Sequence, residues 1–256
     1  MLKYLHRKFL NEYFRLKVWI RYVLVYLINR LCIPKSISPK DIPIIINNRD
    51  RLTYLNMLIT SLEKRGYYNI YIIDNASTYP PLLDYCNNEC SYTVFRLSTN
   101  VGYTALWDTD LIKRFRSNYF VYTDSDIVLP NTCPDDIVEV LLSFLRKYPY
   151  IHKVGPALAV DDLPKENKKR VLSTEFNSWK KIISSEPQAY RACIDTTFAL
   201  HRPWCFKHMG VLIPQIRVAG PYTVKHMPWY ETKSNIPEDS LYYKEHSNSN
   251  STWYMG

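Results

Sequence analysis

Tyr119-Phe-Val-Tyr-Thr-Asp-Ser-Asp-Ile-Val-Leu129 sets two carboxylates, Asp124 and Asp126, one residue apart where an apolar run stops. An apolar run of this length predicts a buried strand. In open α/β sheets ligands bind outside the carboxyl ends of the strands, the place these aspartates occupy. Within so short a span the two carboxylates can bind a divalent cation, and the cation can hold a diphosphate.

Similar runs precede it. Pro43 to Asn47, Asn69 to Asp74 and Tyr92 to Leu97 predict three earlier strands, and Tyr119 to Thr123 the fourth. Leu52, Leu55, Leu58, Ile59 and Leu62 repeat at helical spacing and end near Gly66, a crossover helix. Ala105, Leu106, Leu111 and Ile112 predict a helix before the fourth strand. Pro134 is expected to open another, running to about Lys147 with Asp135 and Asp136 in its first turn. The fold class is therefore α/β, a mostly parallel sheet flanked by helices. From about Ile151 the periodic signals thin and Pro and Trp increase, which predicts a loop-rich half wrapped onto the sheet.

The 256 residues, 46% apolar and 14% aromatic, are ample for a packed core. Charge is uneven. Residues 1–40 carry nine Lys and Arg against the single acid Glu12, so the remainder holds only about +1 of the net +9. No zinc-finger spacing or basic zipper accompanies this basicity, which argues against nucleic acid. Leu2, Leu5, Phe9, Leu16, Ile20, Val23 and Leu27 share one helical stripe, with Lys3, Arg7, Lys8, Arg15 and Arg21 largely off it. Residues 1–33 thus read as a basic amphipathic helix suited to an anionic membrane surface. The other reading is a helix packed on its own domain or on a second subunit. Arg21 interrupts the densest apolar stretch, which is shorter than the roughly 20 residues a span needs. No small-residue cleavage site follows, so a cleaved signal peptide is not expected. Residues 34–41, rich in Pro, Ser and Lys, form a linker.

Cysteines 32, 86, 90, 133, 193 and 205 show no paired metal-ligand spacing and are expected as reduced thiols. Asn75-Ala-Ser77 is a glycosylation sequon inside the expected binding loop. Both features favour a cytoplasmic location, peripheral at the inner face of the membrane.

Polar residues collect at the expected strand ends: Asn47 and Arg49, Asp74 and Asn75, Asn100 and Gly102, Asp124 and Asp126. Each alone could be a turn former or helix cap. Together they would line one edge, where Asp74 could accept from a base or ribose and Arg49 could face phosphate or base. Gly102 would allow close backbone approach.

Pro43-Ile-Ile-Ile-Asn-Asn-Arg49, Ile72-Ile-Asp-Asn-Ala-Ser77, Asn100-Val-Gly102 and Thr123-Asp-Ser-Asp-Ile127 together resemble the successive landmarks of a nucleotide-sugar-dependent glycosyltransferase. The type is the Rossmann-like GT-A fold, close to family 2. The resemblance covers about residues 42–130, extending less securely to Asp195–Leu200 and Gly220–Tyr230. It implies a nucleotide-sugar-binding half over 42–130 and an acceptor-binding half over 131–256. It also implies that Asp74 contacts the base, Asp124 the ribose or a metal-bound water, and Asp126 the metal, with His226 completing the metal site. Carboxylate with imidazole suits Mn²⁺; Mg²⁺ fits if His226 stays out.

The usual Glu-Asp pair of the family is missing after the sheet, so the catalytic base is open among Asp195, Asp162 and Glu175. Asp162, with Asp161, also reads as a solvated turn before Pro164. Trp179, Trp204 and Trp229 could each stack on a sugar, and Trp229 is singled out as acceptor-binding because it neighbours His226. The expected reaction is an inverting transfer to a glycan or lipid-linked acceptor in cell-surface polysaccharide synthesis. Three rivals stand beside it. A haloacid dehalogenase-type phosphatase would use Asp124 as nucleophile and Asp126 as acid. A sugar nucleotidyltransferase would need an early Gly-rich basic signature that residues 42–55 lack. A non-catalytic membrane-surface protein with a transferase fold would bind nucleotide poorly.

Overall fold

A computed structural model describes residues 2–31, 38–195, 197–205, 207 and 214–246, with side chains from Asn11 onward. The first half of the 34–41 linker, Cys32, Thr196 and the side chains of Leu2, Leu5 and Phe9 lie outside the described residues.

A long helix, α1 (Leu2–Leu31), precedes the sheet. The elements then run β1 (Ile44–Asn48), α2 (Leu52–Glu63), β2 (Ile70–Asp74), α3 (Pro80–Asp84), β3 (Thr93–Arg96), α4 (Ala105–Asp108), α5 (Ile112–Phe115) and β4 (Phe120–Asp124). They continue through β5 (Ile127–Val128), α6 (Ile137–Lys147), β6 (Lys153–Pro156), α7 (Lys165–Glu175), β7 (Ile182–Ser185) and β8 (Gln188–Arg191). The last are β9 (Ala199–His201), β10 (Gln215–Val218), β11 (Lys225–His226) and α8 (Glu238–His246). Nine strands make one sheet in the order β3-β2-β1-β4-β9-β6-β10-β8-β7, and β11 pairs separately with β5. Strands β3, β2, β1 and β4 are mutually parallel; β9 runs against both β4 and β6.

The isoleucine runs lack alternation because both sheet faces are covered. Ile44, Ile46 and Ile72 pack with Leu55, Leu58, Leu62, Leu141 and Leu145 on the α2 and α6 side. Ile45 and Ile73 face the other way, onto Ala105, Leu106, Phe115, Phe120 and Tyr122.

Three expectations change. The helix before β4 is two separate turns, α4 and α5. Thr104 and Thr109 hydroxyls bond Asp108 and the Ala105 carbonyl, so local side-chain partners compete with helix continuation. Helix α6 begins at Ile137 rather than Pro134. The Cys133 carbonyl is taken by the Arg65 guanidinium and that of Asp135 by Tyr67 and Lys40, which removes the acceptors of an earlier first turn. The region after Ile151 is not mainly loop: β6 to β10 complete the large sheet. Their pattern is hidden by buried polar residues that have internal partners. Lys153 donates to the Asp195 carbonyl, Arg217 pairs with Glu175, and Gln215 accepts from the Ile194 amide.

Helix α1 rests on this body through one face. Val18 and Val25 are buried, Asn29 donates to the Pro203 carbonyl at 3.0 Å, and Tyr22 stacks on His152 with ring centroids 5.0 Å apart. Packing on its own domain, one of the two readings of the leader, describes this face. No helix among the described residues is long and apolar enough to cross a membrane.

Burial, with Arg202 beside it, lowers the His152 pKa from 6.5 to about 4. The unfolded chain therefore binds a proton below pH 6.5 that the folded protein refuses until about pH 4. Stability is fully present above pH 6.5 and falls by roughly 3 kcal/mol as pH drops through that window. Urea unfolding across the window should show this slope, and His152→Gln should flatten it.

Candidate active site

The parallel strands end together, and their polar residues converge. Asn75, buried at the end of β2, donates from Nδ2 to the Gly102 carbonyl at 2.9 Å and accepts the Val101 amide on Oδ1 at 2.9 Å. Asn47 reaches the same carbonyl at 3.5 Å, and Asn100 accepts the Gly102 amide. Gly102 has φ +81, a left-handed conformation that glycine adopts without cost from a Cβ. Four of the eight residues expected at one edge, Asn47, Asn75, Asn100 and Gly102, are thus tied into one cluster around a single loop. Both ends of the Asn75 amide are engaged, so the sequon is not presented to solvent.

Asp74 is buried and already partnered. One carboxylate oxygen faces Arg96 Nε at 3.0 Å and the other accepts the Ser77 amide. Asp50, which sequence reasoning passed over, does the comparable work next door. Its Oδ1 takes the amides of Thr78 and Tyr79, and its own amide donates to Ser77 Oγ, locking the loops after β1 and β2 together. Asp50 sits at φ +56 to do so.

Asp124 closes β4, half-buried, and Asp126 follows the turn. The short β5–β11 ribbon places His226 opposite Ile127, and the Met227 amide donates to the Asp126 carbonyl. His226 Nε2 consequently lies 3.6 Å from Asp126 Oδ1, an ion-pair distance longer than a hydrogen bond. Burial pushes the Asp126 carboxyl up, but His226 and Arg51 outweigh it and hold it below the ordinary carboxylate value. Asp126 Oδ1, His226 Nδ1, Asn47 Oδ1, both polar ends of Asn48 and Arg49 Nε are buried without a hydrogen-bond partner. Such groups are costly when left unpaired, and five neighbouring residues carrying them mark a place built for a polar ligand.

The donor set Asp126 and His226 fits a borderline divalent ion such as Mn²⁺ as a partial site, completed by ligand and water oxygens. Among the described residues no group of three or more His, Cys, Asp or Glu side chains makes a metal cage, so Asp124, Asp126 and His226 are not assembled as three ligands.

The remaining expected residues are dispersed. Trp229 is 6% exposed, and its ring stands edge-on to His226 with centroids 5.0 Å apart. It offers the imidazole a wall rather than a sugar an open face. Asp162 pairs with Lys225 and accepts from Tyr230 at 2.7 Å, which links it to the strand carrying His226. Burial pushes the Asp162 carboxyl up, but the bonds from Lys225 and Tyr230 hold it below the usual value. Asp195 meets the sheet elsewhere. Its carbonyl takes Lys153, and neighbouring Ile194 bonds Gln215, the first residues of β6 and β10 and so the opposite end from Asp124. Glu175 is consumed by the buried Arg217 pair. Trp179 packs edge-on against Tyr190, and Trp204 lies under Arg116.

A C-terminal strap also went unread. The Asp239 carboxylate accepts the Thr53 amide at 2.6 Å at the start of α2. Buried Arg51 bonds Ser240, and Tyr242 reaches Thr78. Glu231 gathers Tyr54, Arg51 and Lys244. The charge triplet Arg49-Asp50-Arg51 directly after an apolar strand was the available signal.

The sequence matches the family model described as glycosyl transferase family 2 over residues 43–206, and the chain belongs to that family. With it the phosphatase and nucleotidyltransferase readings fall away. No curated protein matches the sequence significantly. Similar solved structures include a mannosyltransferase from Pyrobaculum calidifontis in complex with GDP-Man and Mn2+. It is 15% identical, with 72% of this chain and 52% of that chain covered and a TM-score of 0.41. Residues 1–349 of S. aureus TarS are 14% identical, covering 63% of this chain and 47% of that one at a TM-score of 0.40. GalNAc-T7 with UDP, GalNAc and Mn2+ is 13% identical, covering 72% and 43% at 0.47. The chain thus spans about half the length of these structures.

Replacing Asn75 by Ala strands the Val101 amide and leaves the Gly102 carbonyl only the long 3.5 Å contact from Asn47. The expected loss is about 1–3 kcal/mol of stability, read from urea unfolding. Hydrogen exchange should quicken in the loop around residue 101 and leave β6 and β10 protected.

Proposed function

We propose that this protein transfers a sugar from a nucleoside-diphosphate sugar to a glycan or lipid-linked acceptor, with inversion, in the synthesis of a cell-surface polysaccharide. The observation that carries this reading is the set of unpartnered buried polar atoms at the carboxyl edge, beside Asp126 and His226. Family membership supports the transferase class.

The donor would lie across the ends of β1, β2 and β4. Asp74, held rigid by Arg96 and Ser77, is positioned to read the base, and Asn47, Asn75, Asn100 and Gly102 shape the loop that covers it. Arg49 Nε, which makes no hydrogen bond and lies 3.5 Å from Asp50 Oδ2, would turn from that carboxylate to a phosphate oxygen. Asp126 and His226 would hold Mn²⁺ or Mg²⁺, with Asp124 contributing through ribose or water. When bound, the ion supplies positive charge to the departing diphosphate. Trp229 keeps His226 turned toward Asp126.

Inversion requires a base that accepts the proton of the acceptor hydroxyl while that oxygen attacks opposite the leaving group. Of the three carboxylates considered for it, Asp162 fits best, because Lys225 ties it to the His226 strand and keeps it ionised, whereas Glu175 is taken by Arg217. Asp195, whose backbone meets the sheet at the opposite end from Asp124, is the weaker choice.

Thermal stabilisation by a panel of nucleoside diphosphates and nucleotide sugars, with and without Mn²⁺, tests the donor site. A metal-dependent shift that Asp126→Ala abolishes is expected. No shift with any nucleotide would leave only a non-catalytic role for the fold. With an active donor and acceptor in hand, Asp162→Asn should lower kcat by about 100-fold or more while the donor KM holds. If Asp195→Asn does so instead, the base assignment moves to Asp195.

A further inference from the structure

Helix α1 presents two opposite faces. Val18, Tyr22, Val25 and Asn29, spaced at three and four residues, form the face that meets the domain. Half a turn around lie Tyr13, Leu16, Ile20, Leu24, Leu27 and Leu31. All six are between 44% and 80% exposed, and the one side chain described over them is that of Lys17, whose ammonium lies 4.5 Å from the centre of the Tyr13 ring on the same helix. A continuous row of this length is larger than the scattered apolar residues a soluble surface ordinarily carries. Its flanks are basic: Arg15, Lys17, Arg21 and Arg30 against Glu12 alone, and the sequence before it adds Lys3, Arg7 and Lys8.

We infer that this stripe is the membrane-contacting surface of the protein, lying in the interface of an anionic bilayer while the opposite face holds the catalytic body to the helix. The stripe supplies the apolar burial and the flanking cations the attraction to acidic headgroups. A second copy is the poorer occupant, because pairing two such helices would bring like charge against like charge along the seam.

The docking face also fixes orientation. His152 precedes the first residue of β6, and Pro203 follows the last residue of β9, which runs antiparallel to β4. Both therefore lie at the amino edge of the parallel strands, whereas Asp124 and Asp126 lie at the carboxyl edge. A helix diameter plus a five-residue strand separates lipid from the donor site by about 25 Å. The site consequently opens toward the aqueous side, away from the bilayer. Resting on the transferase reading, this selects an acceptor whose receiving hydroxyl stands well clear of the lipid, an extended or growing chain rather than a sugar flush with the headgroups.

Co-sedimentation of the full chain with phosphatidylcholine vesicles, with and without phosphatidylglycerol, tests the surface without needing any nucleotide. Binding only to the anionic vesicles, weakened by salt, is expected. The triple variant Ile20→Glu, Leu24→Glu, Leu27→Glu should weaken it by roughly tenfold or more while keeping the wild-type melting temperature, since these side chains are exposed. Equal binding by the variant, or no binding by wild type, would overturn the inference. So would a wild-type dimer in sedimentation velocity that the variant breaks without any vesicle binding. The orientation predicts unchanged nucleotide affinity on vesicles, and occlusion of the nucleotide site by lipid would overturn it. Absent nucleotide binding in solution would count against the transferase reading alone, leaving the vesicle result standing.

Discussion

The structure depends on a parallel sheet covered on both faces. Because Ile44 and Ile46 pack one way and Ile45 the other, no polar side chain is tolerated along the middle of β1. Chemistry is therefore expelled to the ends of the strands. There the backbone ladder stops, and Asn47, Asp74, Asn75 and Asp124 can take up partners that the strands no longer provide. The same constraint explains why the loops there are so heavily bonded. An edge that must accept a charged ligand needs polar groups, and most of them are held in place by Gly102, Ser77, Thr78 and Tyr79 backbone atoms. Those left without a hydrogen bond include Asp126 Oδ1 and His226 Nδ1.

Much of this half was legible. A strand buried on both faces announces itself as an unbroken apolar run, so the four parallel strands and the polar residue after each were read close to their actual positions. His226 is expected beside Asp124 and Asp126, and the β5–β11 ribbon brings it to Asp126. What the sequence concealed was partnership across long separations. Lys153, Gln215 and Arg217 look like surface residues until the Asp195 carbonyl, the Ile194 amide and Glu175 are seen to satisfy them, so the strands that carry them were read as loop. Trp229 followed the same logic in reverse. Its proximity to His226 in sequence was real, but whether an indole faces solvent or a neighbour is decided by packing, and here it is buried against the imidazole. The carboxylates after the sheet were equally indistinguishable in sequence, and only their ties to Lys225 and Lys153 separate Asp162 from Asp195.

The strap made by α8 carries a consequence for how the molecule is assembled. Arg51 and Ser240 are separated by 189 positions, Thr53 and Asp239 by 186, and Thr78 and Tyr242 by 164. Closing such long stretches of chain costs entropy before any contact rewards it. The parallel core, built from near neighbours in sequence, can gather first, while the rim that seals the first two loops must wait. A nascent chain would pass through a stage in which the carboxyl edge of the sheet is present but unfinished, its Asp50 clamp set and its outer wall still to arrive. A sealed carboxyl edge is then the last feature this fold acquires, and the first it would surrender on partial unfolding.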